Sequence, residues 1–228
     1  NLIRKLIEKY FPPEIVQVIE GDGNIAAELL TQQFDHVFFT GGENIGKKVM
    51  EAAAKNLTPV TLELGGKSPA VIIDGANLEV TAKRLIWGKS INAGQTCIAP
   101  DHLLVKEELF ESLISNLKKS IHDFFGDTPL FSKDLGSIIN HKQFHRLNSL
   151  VKQAKSNNQI IYGGDCNEKE RRISPTLIKI KDRNDPLMKE ELFGPLLPIL
   201  PIKNLDEAIS ELKFLPKPLA LYLFGGSD

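Results

Sequence analysis

Phe38-Phe39-Thr40-Gly41-Gly42-Glu43-Asn44-Ile45-Gly46-Lys47 is an apolar run that enters a glycine pair and leaves it with helical spacing. It reads as a strand entering a glycine-rich turn that opens a helix. Glycines let a backbone approach a phosphate, and the first-turn N–H groups of the helix add donors and the positive end of a dipole. On spacing alone an ordinary strand–turn–helix connection fits equally well. Lys48 stands where a nucleotide-hydrolysing P-loop needs Ser or Thr, which argues against that loop.

The same alternation extends in both directions. Upstream, residues 1–10 carry Leu2, Leu6 and Ile7 at helical spacing, Pro12-Pro13 ends that helix, 15–19 reads as a short buried strand and 24–33 as a helix. Downstream come a helix over 43–55 and an extended Val60-Thr61-Leu62-Glu63-Leu64. Beyond Gly65-Gly66, strands are expected at 69–73, 102–105, 159–162, 175–180, 196–200 and 219–224, with helices at 78–91, 107–121, 141–156 and 205–213. The pattern predicts an α/β chain with mostly parallel connections, divided at the glycine pair into 1–64 and 65–228.

Composition narrows the function. At about 150 residues per domain, 228 residues make one large domain or two small ones. With 42% hydrophobic and 25% charged residues, disordered and collagen-like chains are excluded. Lys and Arg number 28 against 29 Asp and Glu, a net charge of −1 that offers nothing to nucleic acid or an anionic membrane. Two cysteines exclude a disulfide framework and predict a reduced, cytoplasmic protein. No apolar run approaches the roughly 20 residues of a membrane-spanning helix. The first ten residues lack a signal-peptide core and an initiator Met, and the last follow directly on an apolar strand, so truncation at both ends is expected.

Two further segments carry chemistry. In Leu62-Glu63-Leu64-Gly65-Gly66-Lys67-Ser68-Pro69, a carboxylate between leucines at a strand end would be partly desolvated and suited to general-base work; pairing with a neighbouring cation is the alternative. In Asn92-Ala93-Gly94-Gln95-Thr96-Cys97-Ile98-Ala99-Pro100, Cys97 lies in a polar, glycine-containing loop, although most lone cysteines are small buried hydrophobes. Cys166 lies in a turn among charged residues without such a setting. His141 and His145 are four apart on a helix but lack a third ligand, so no metal site is expected.

Taken in order and at these separations, Phe-Thr-Gly-x-x-x-x-Gly, Leu-Glu-Leu-Gly-Gly-Lys-Ser-Pro and Gly-Gln-Thr-Cys closely resemble the aldehyde dehydrogenase superfamily. Lys189-Glu190-Glu191-Leu192-Phe193-Gly194-Pro195 is similar to its Glu-x-Phe-Gly-Pro motif, and Cys97-Ile98-Ala99-Pro100-Asp101 to its class 3 branch. The resemblance covers essentially the whole chain, though only part of the family's longer protein. It implies a three-layer α/β/α fold with mostly parallel, Rossmann-like sheets, in which 1–64 is the later part of a dinucleotide-binding domain and 65–228 a catalytic domain.

The resemblance also implies roles. Cys97 would attack an aldehyde to form a thiohemiacetal, and Glu63 would activate the water that hydrolyses the ensuing thioester. Gly41, Gly42, Glu43, Asn44, Ile45 and Gly46 would line the phosphates of NAD or NADP; Glu191 would bind the nicotinamide ribose, with Phe193 beside it. A homodimer of the full-length protein is expected, and peripheral membrane attachment through a downstream tail is left open. The departures lie at Gly42 and Glu43, where the family often carries a small hydroxyl residue and where an acidic side chain would repel a phosphate. The family's side-chain oxyanion donor and its adenosine-ribose lysine would lie upstream. Two rival readings stand: a relative that passes its acyl group to coenzyme A or phosphate, disfavoured by the presence of Glu63, and a non-catalytic scaffold, disfavoured by Cys97 and Glu63 together.

Overall fold

The computed structural model describes residues 1–226. The chain forms two compact units, one ending at Leu64 and the other beginning at Gly65.

The first unit runs α1 (Leu2–Tyr10), α2 (Gly23–Leu29), β1 (Val37–Gly41), α3 (Glu43–Ala54) and β2 (Val60–Leu64). β1 and β2 pair in parallel with Val37 opposite Val60, and α3 is the crossover between them. Val49 and Ala53, four apart on α3, are its buried apolar positions. Asp22 caps α2, its carboxylate accepting from the N–H groups of Asn24 and Ile25. The strand expected at 15–19 does not form. The N–H groups of Ile15 and Val16 instead close a turn onto the Pro12 carbonyl at 3.0 and 3.3 Å, among the described residues this unit's sheet holds β1 and β2 alone, and Ile15 and Ile19 stay exposed.

The second unit contains β3 (Pro69–Ile72), α4 (Leu78–Ser90), β4 (His102–Lys106), α5 (Phe110–Phe125), α6 (His141–Ser156), β5 (Ile160–Tyr162), β6 (Cys166–Asn167), β7 (Arg172–Ile173), β8 (Thr176–Lys179), β9 (Leu196–Ile202), α7 (Leu205–Lys213) and β10 (Tyr222–Phe224). Its six-stranded sheet has the order β10-β3-β4-β9-β8-β5, parallel throughout except for the antiparallel edge strand β5. Alternation along the strands separates two cores. Ala70, Ile72, Leu103 and Val105 face α4 and α5, packing on Leu85, Ile86, Leu113 and Leu117. Val71 and Leu104 point the other way, toward Phe144, Leu147 and Val151 of α6 and Ala208 of α7. Helices on both faces of a mostly parallel sheet make the expected three layers. Cys166 departs from expectation: it sits half-buried on the two-stranded ribbon β6–β7, paired with Ile173, rather than in a turn.

Candidate functional site

The glycine turn of the first unit leaves the C-terminal end of β1, the edge at which open α/β sheets bind ligands. The ladder sets Thr40 opposite Glu63 and Gly41 opposite Leu64, so the turn and the Glu63 carboxylate share that edge. Gly42 is the N-cap of α3 and offers no side-chain cap, and a β-carbon there would meet nothing within 4 Å. Asn44 and Ile45 are exposed in the first turn, whereas Gly46 is buried against Leu64. An uncapped, open helix start fits a dinucleotide phosphate. Glu43 does not present a bare charge there, because Lys47 pairs with it at 2.7 Å one turn on. The expected desolvation of Glu63 by its leucine neighbours does not occur. Adjacent strand residues point to opposite faces, so Leu62 and Leu64 turn away and Glu63 is exposed.

Cys97 follows three consecutive left-handed residues, Asn92, Ala93 and Gly94, at φ 51°, 55° and 76°. A β-carbon at Gly94 would collide with the Gly194 carbonyl, so only glycine lets this loop approach the 191–195 segment. Left-handed Asn92 and Ala93 each cost roughly 1–3 kcal/mol unless their surroundings hold them. Buried Gln95 does so: its Nε2 donates to the carbonyls of Asn92 (2.9 Å) and Ser137 (3.1 Å), and its Oε1 accepts from the Ile139 N–H (2.9 Å). Asn92 Nδ2 returns a bond to the Gln95 carbonyl at 3.1 Å. The Tyr222 hydroxyl donates to the Ile98 carbonyl, bracing the residue after Cys97. Cys97 is half-buried; burial pushes the Cys166 thiol up, away from the reactive thiolate.

The 187–193 segment is gripped from two sides. The buried Lys67 ammonium pairs with Asp101 and donates to the carbonyls of Leu187 (2.8 Å) and Glu190 (3.1 Å). Asp101 Oδ1 in turn accepts from the Leu192 N–H at 2.8 Å. From α6, Arg146 donates to the Leu192 carbonyl. The Glu191 carboxylate lies on Gly65, where a β-carbon would displace it, and accepts from the Gly66 N–H; burial nevertheless pushes its pKa up. Burial lowers the Lys89 ammonium to about 8 despite the attraction of Asp101 and Glu191. Phe193 takes a left-handed φ of 47° and is part-exposed. Lys67 precedes β3, Asp101 precedes β4 and Glu191 precedes β9, so this cluster occupies the N-terminal ends of three adjacent parallel strands.

His102, the first residue of β4, is wholly buried and neither ring nitrogen has a hydrogen-bond partner among the described residues. Burial, then Lys67, pushes its pKa down to about 3. The native imidazole is therefore neutral, while the unfolded chain takes up a proton below about 6.5. Stability is complete above that pH and falls as pH drops toward about 3, with a slope approaching roughly 1.4 kcal/mol per pH unit. His102→Leu removes both the unpaired nitrogens and this slope. Urea midpoints should rise on substitution, and more at pH 5 than at pH 8; a variant no more stable than the parent at pH 5 would contradict this.

Sequence reasoning did not find the roles of Lys67, Asp101, Gln95 and Arg146. Their trace is faint: Lys67 and Asp101 each stand just before a strongly apolar strand. The histidine pair also needs correction, because the β6–β7 ribbon brings a third potential donor, Glu168, beside His141 and His145.

Comparison with known proteins adds to this geometry. The aldehyde dehydrogenase family matches residues 1–225. The 4,4'-diaponeurosporen-aldehyde dehydrogenase of Staphylococcus aureus is 47% identical over all 228 residues, which make up 49% of that protein. The dimeric NADP-preferring aldehyde dehydrogenase of Mus musculus is 42% identical over the same span, again 49% of its length. The substrate-bound structure of Staphylococcus aureus AldH superposes with a TM-score of 0.95 at 45% identity, covering 100% of this chain and 49% of that one. The chain thus spans about half the length of these relatives.

Proposed function

The chain belongs to the aldehyde dehydrogenase family, and from that premise we propose that it carries the nucleophile and water-activating carboxylate for oxidation of an aldehyde to a carboxylic acid. The observation that carries the reading is the loop before Cys97: left-handed backbone is held in place by Gln95 and pressed against the segment that bears Glu191. In this reading the Cys97 sulfur attacks the aldehyde carbonyl carbon to give a thiohemiacetal, with the Cys97 N–H among the donors to the developing oxyanion. NAD or NADP, held by residues 41–46, Glu191 and Phe193, would supply a hydride acceptor for the oxidation of the Cys97-bound carbon to the thioester level. Glu63 then takes a proton from water, which attacks the thioester carbonyl and releases the acid and the Cys97 thiol.

The uncapped start of α3 and residues 41–46 are the phosphate-binding part of the proposal, and Glu191 with Phe193 the nicotinamide-ribose part. The name of the NADP-preferring relative supports a nicotinamide cofactor, and its description as dimeric supports a homodimer of the whole protein. A small-molecule aldehyde is the substrate, and the two unpaired thiols suit a reducing, cytoplasmic setting. Among the described residues no helix is long and apolar enough to cross a membrane.

Glu63→Gln tests the second half of the mechanism. Gln cannot accept the proton, so thioester hydrolysis should slow by roughly a hundredfold or more while its formation persists. Stopped-flow absorbance should then show one equivalent of reduced cofactor in a burst, followed by slow turnover. Equal slowing of both phases would assign Glu63 to orienting or thiol activation instead.

A further inference from the structure

We propose that His141, His145 and Glu168 form a divalent transition-metal site, with zinc the best fit, tying the start of α6 to the β6–β7 ribbon. One nitrogen of each imidazole and one carboxylate oxygen all lie within 4.8 Å of one another. His145 Nε2 stands 3.6 Å from Glu168 Oε1. That gap is too long for a hydrogen bond and close to the roughly 3.4 Å separating two ligands on one tetrahedral zinc with bonds of about 2.1 Å.

The arrangement follows from the fold. Residues four apart share a helix face, so His141 and His145 project together, their ring centroids 6.1 Å apart. The ribbon is pinned beside them by two bonds: the Ile138 N–H donates to the Arg171 carbonyl at 2.8 Å, and Arg171 Nε donates to the Ile138 carbonyl at 3.0 Å. Glu168 therefore comes from an anchored hairpin. Two imidazoles and one carboxylate are a nitrogen–oxygen set suited to zinc, and exposure leaves the fourth position to water. The partial positive charge of the helix start opposes a cation there, and the Glu168 carboxylate offsets it. The site is remote in sequence from Cys97 and Glu63 and does not depend on the proposed reaction.

Zinc titration by calorimetry, in a Cys97→Ala/Cys166→Ala background that removes competing thiols, tests the proposal on the intact protein. One zinc per chain with a micromolar Kd is expected. His141→Ala, His145→Ala and Glu168→Gln should each weaken binding at least about tenfold, and cobalt should show the visible absorption of a tetrahedral site. These side chains are exposed, so unchanged circular dichroism should accompany each loss. Absence of one-to-one binding, or any one variant binding zinc as tightly as the background protein, overturns the site.

Discussion

Cys97→Ala is expected to abolish aldehyde oxidation in the whole protein while leaving the fold unchanged. The thiolate supplies the electron pair for the first bond, and a methyl group cannot replace it. Removal of a covalent nucleophile commonly costs several powers of ten, so residual turnover should lie below about one per cent. The fold is spared because the loop is held by Gln95 and by the fit of Gly94 against Gly194, neither of which uses the Cys97 side chain. Cys166→Ala is the control. Its thiol sits on the β6–β7 ribbon with its pKa raised by burial, and its loss should leave the rate within about twofold. Steady-state assays of both variants on an aromatic aldehyde, with circular dichroism to check folding, decide the matter. If the alanine at position 97 retained activity and the one at 166 did not, the nucleophile would be misassigned.

The second large effect concerns stability. Lys67→Met should destabilise the second unit by about 3–5 kcal/mol, because it leaves the Asp101 carboxylate buried without its paired cation and with the Lys89 ammonium alone to compensate it. It also strips the Leu187 and Glu190 carbonyls of their donor, so the segment carrying Glu191 should loosen and cofactor affinity should fall alongside. Native domains are stable by only about 5–15 kcal/mol, so the single variant should be close to the threshold of folding. Lys67→Met/Asp101→Leu removes the stranded charge together with its partner, and it should be more stable than Lys67→Met alone. Guanidinium unfolding of parent, single and double variants gives the comparison. A single variant within about 1 kcal/mol of the parent would mean that the pair is solvated or replaceable.

These two predictions draw on different sources. Cys97 and Glu63 are proposed from motif, since each lies in a short segment whose neighbours are all close in sequence. The clamp on residues 187–192 was not, although Lys67 belongs to one of those motifs. Its partners stand 34 to 123 residues away, and nothing local distinguishes a lysine that will be buried from one that will be solvated. The reading of Glu63 erred for a related reason: leucines on either side suggested desolvation, whereas the pleat turned them to the opposite face.

Local periodicity determined most of the elements and the layer architecture. α3, α4, α6, α7 and the strands around them are legible because a 3.6-residue or two-residue repeat of apolar side chains is a short-range property that burial on a sheet rewards. Residues 15–19 show where that ends: an apolar extended run becomes a strand only when a neighbour supplies the ladder, and pairing is non-local. The same limit governed the charged groups. Only the sheet order, with β3 beside β4 and β4 beside β9, carried Lys67, Asp101 and Leu192 to one edge, and only the β6–β7 ribbon brought Glu168 to the histidine pair. Sequence spacing reports which side chains share a face; the partners across a buried gap are chosen by how the strands are ordered.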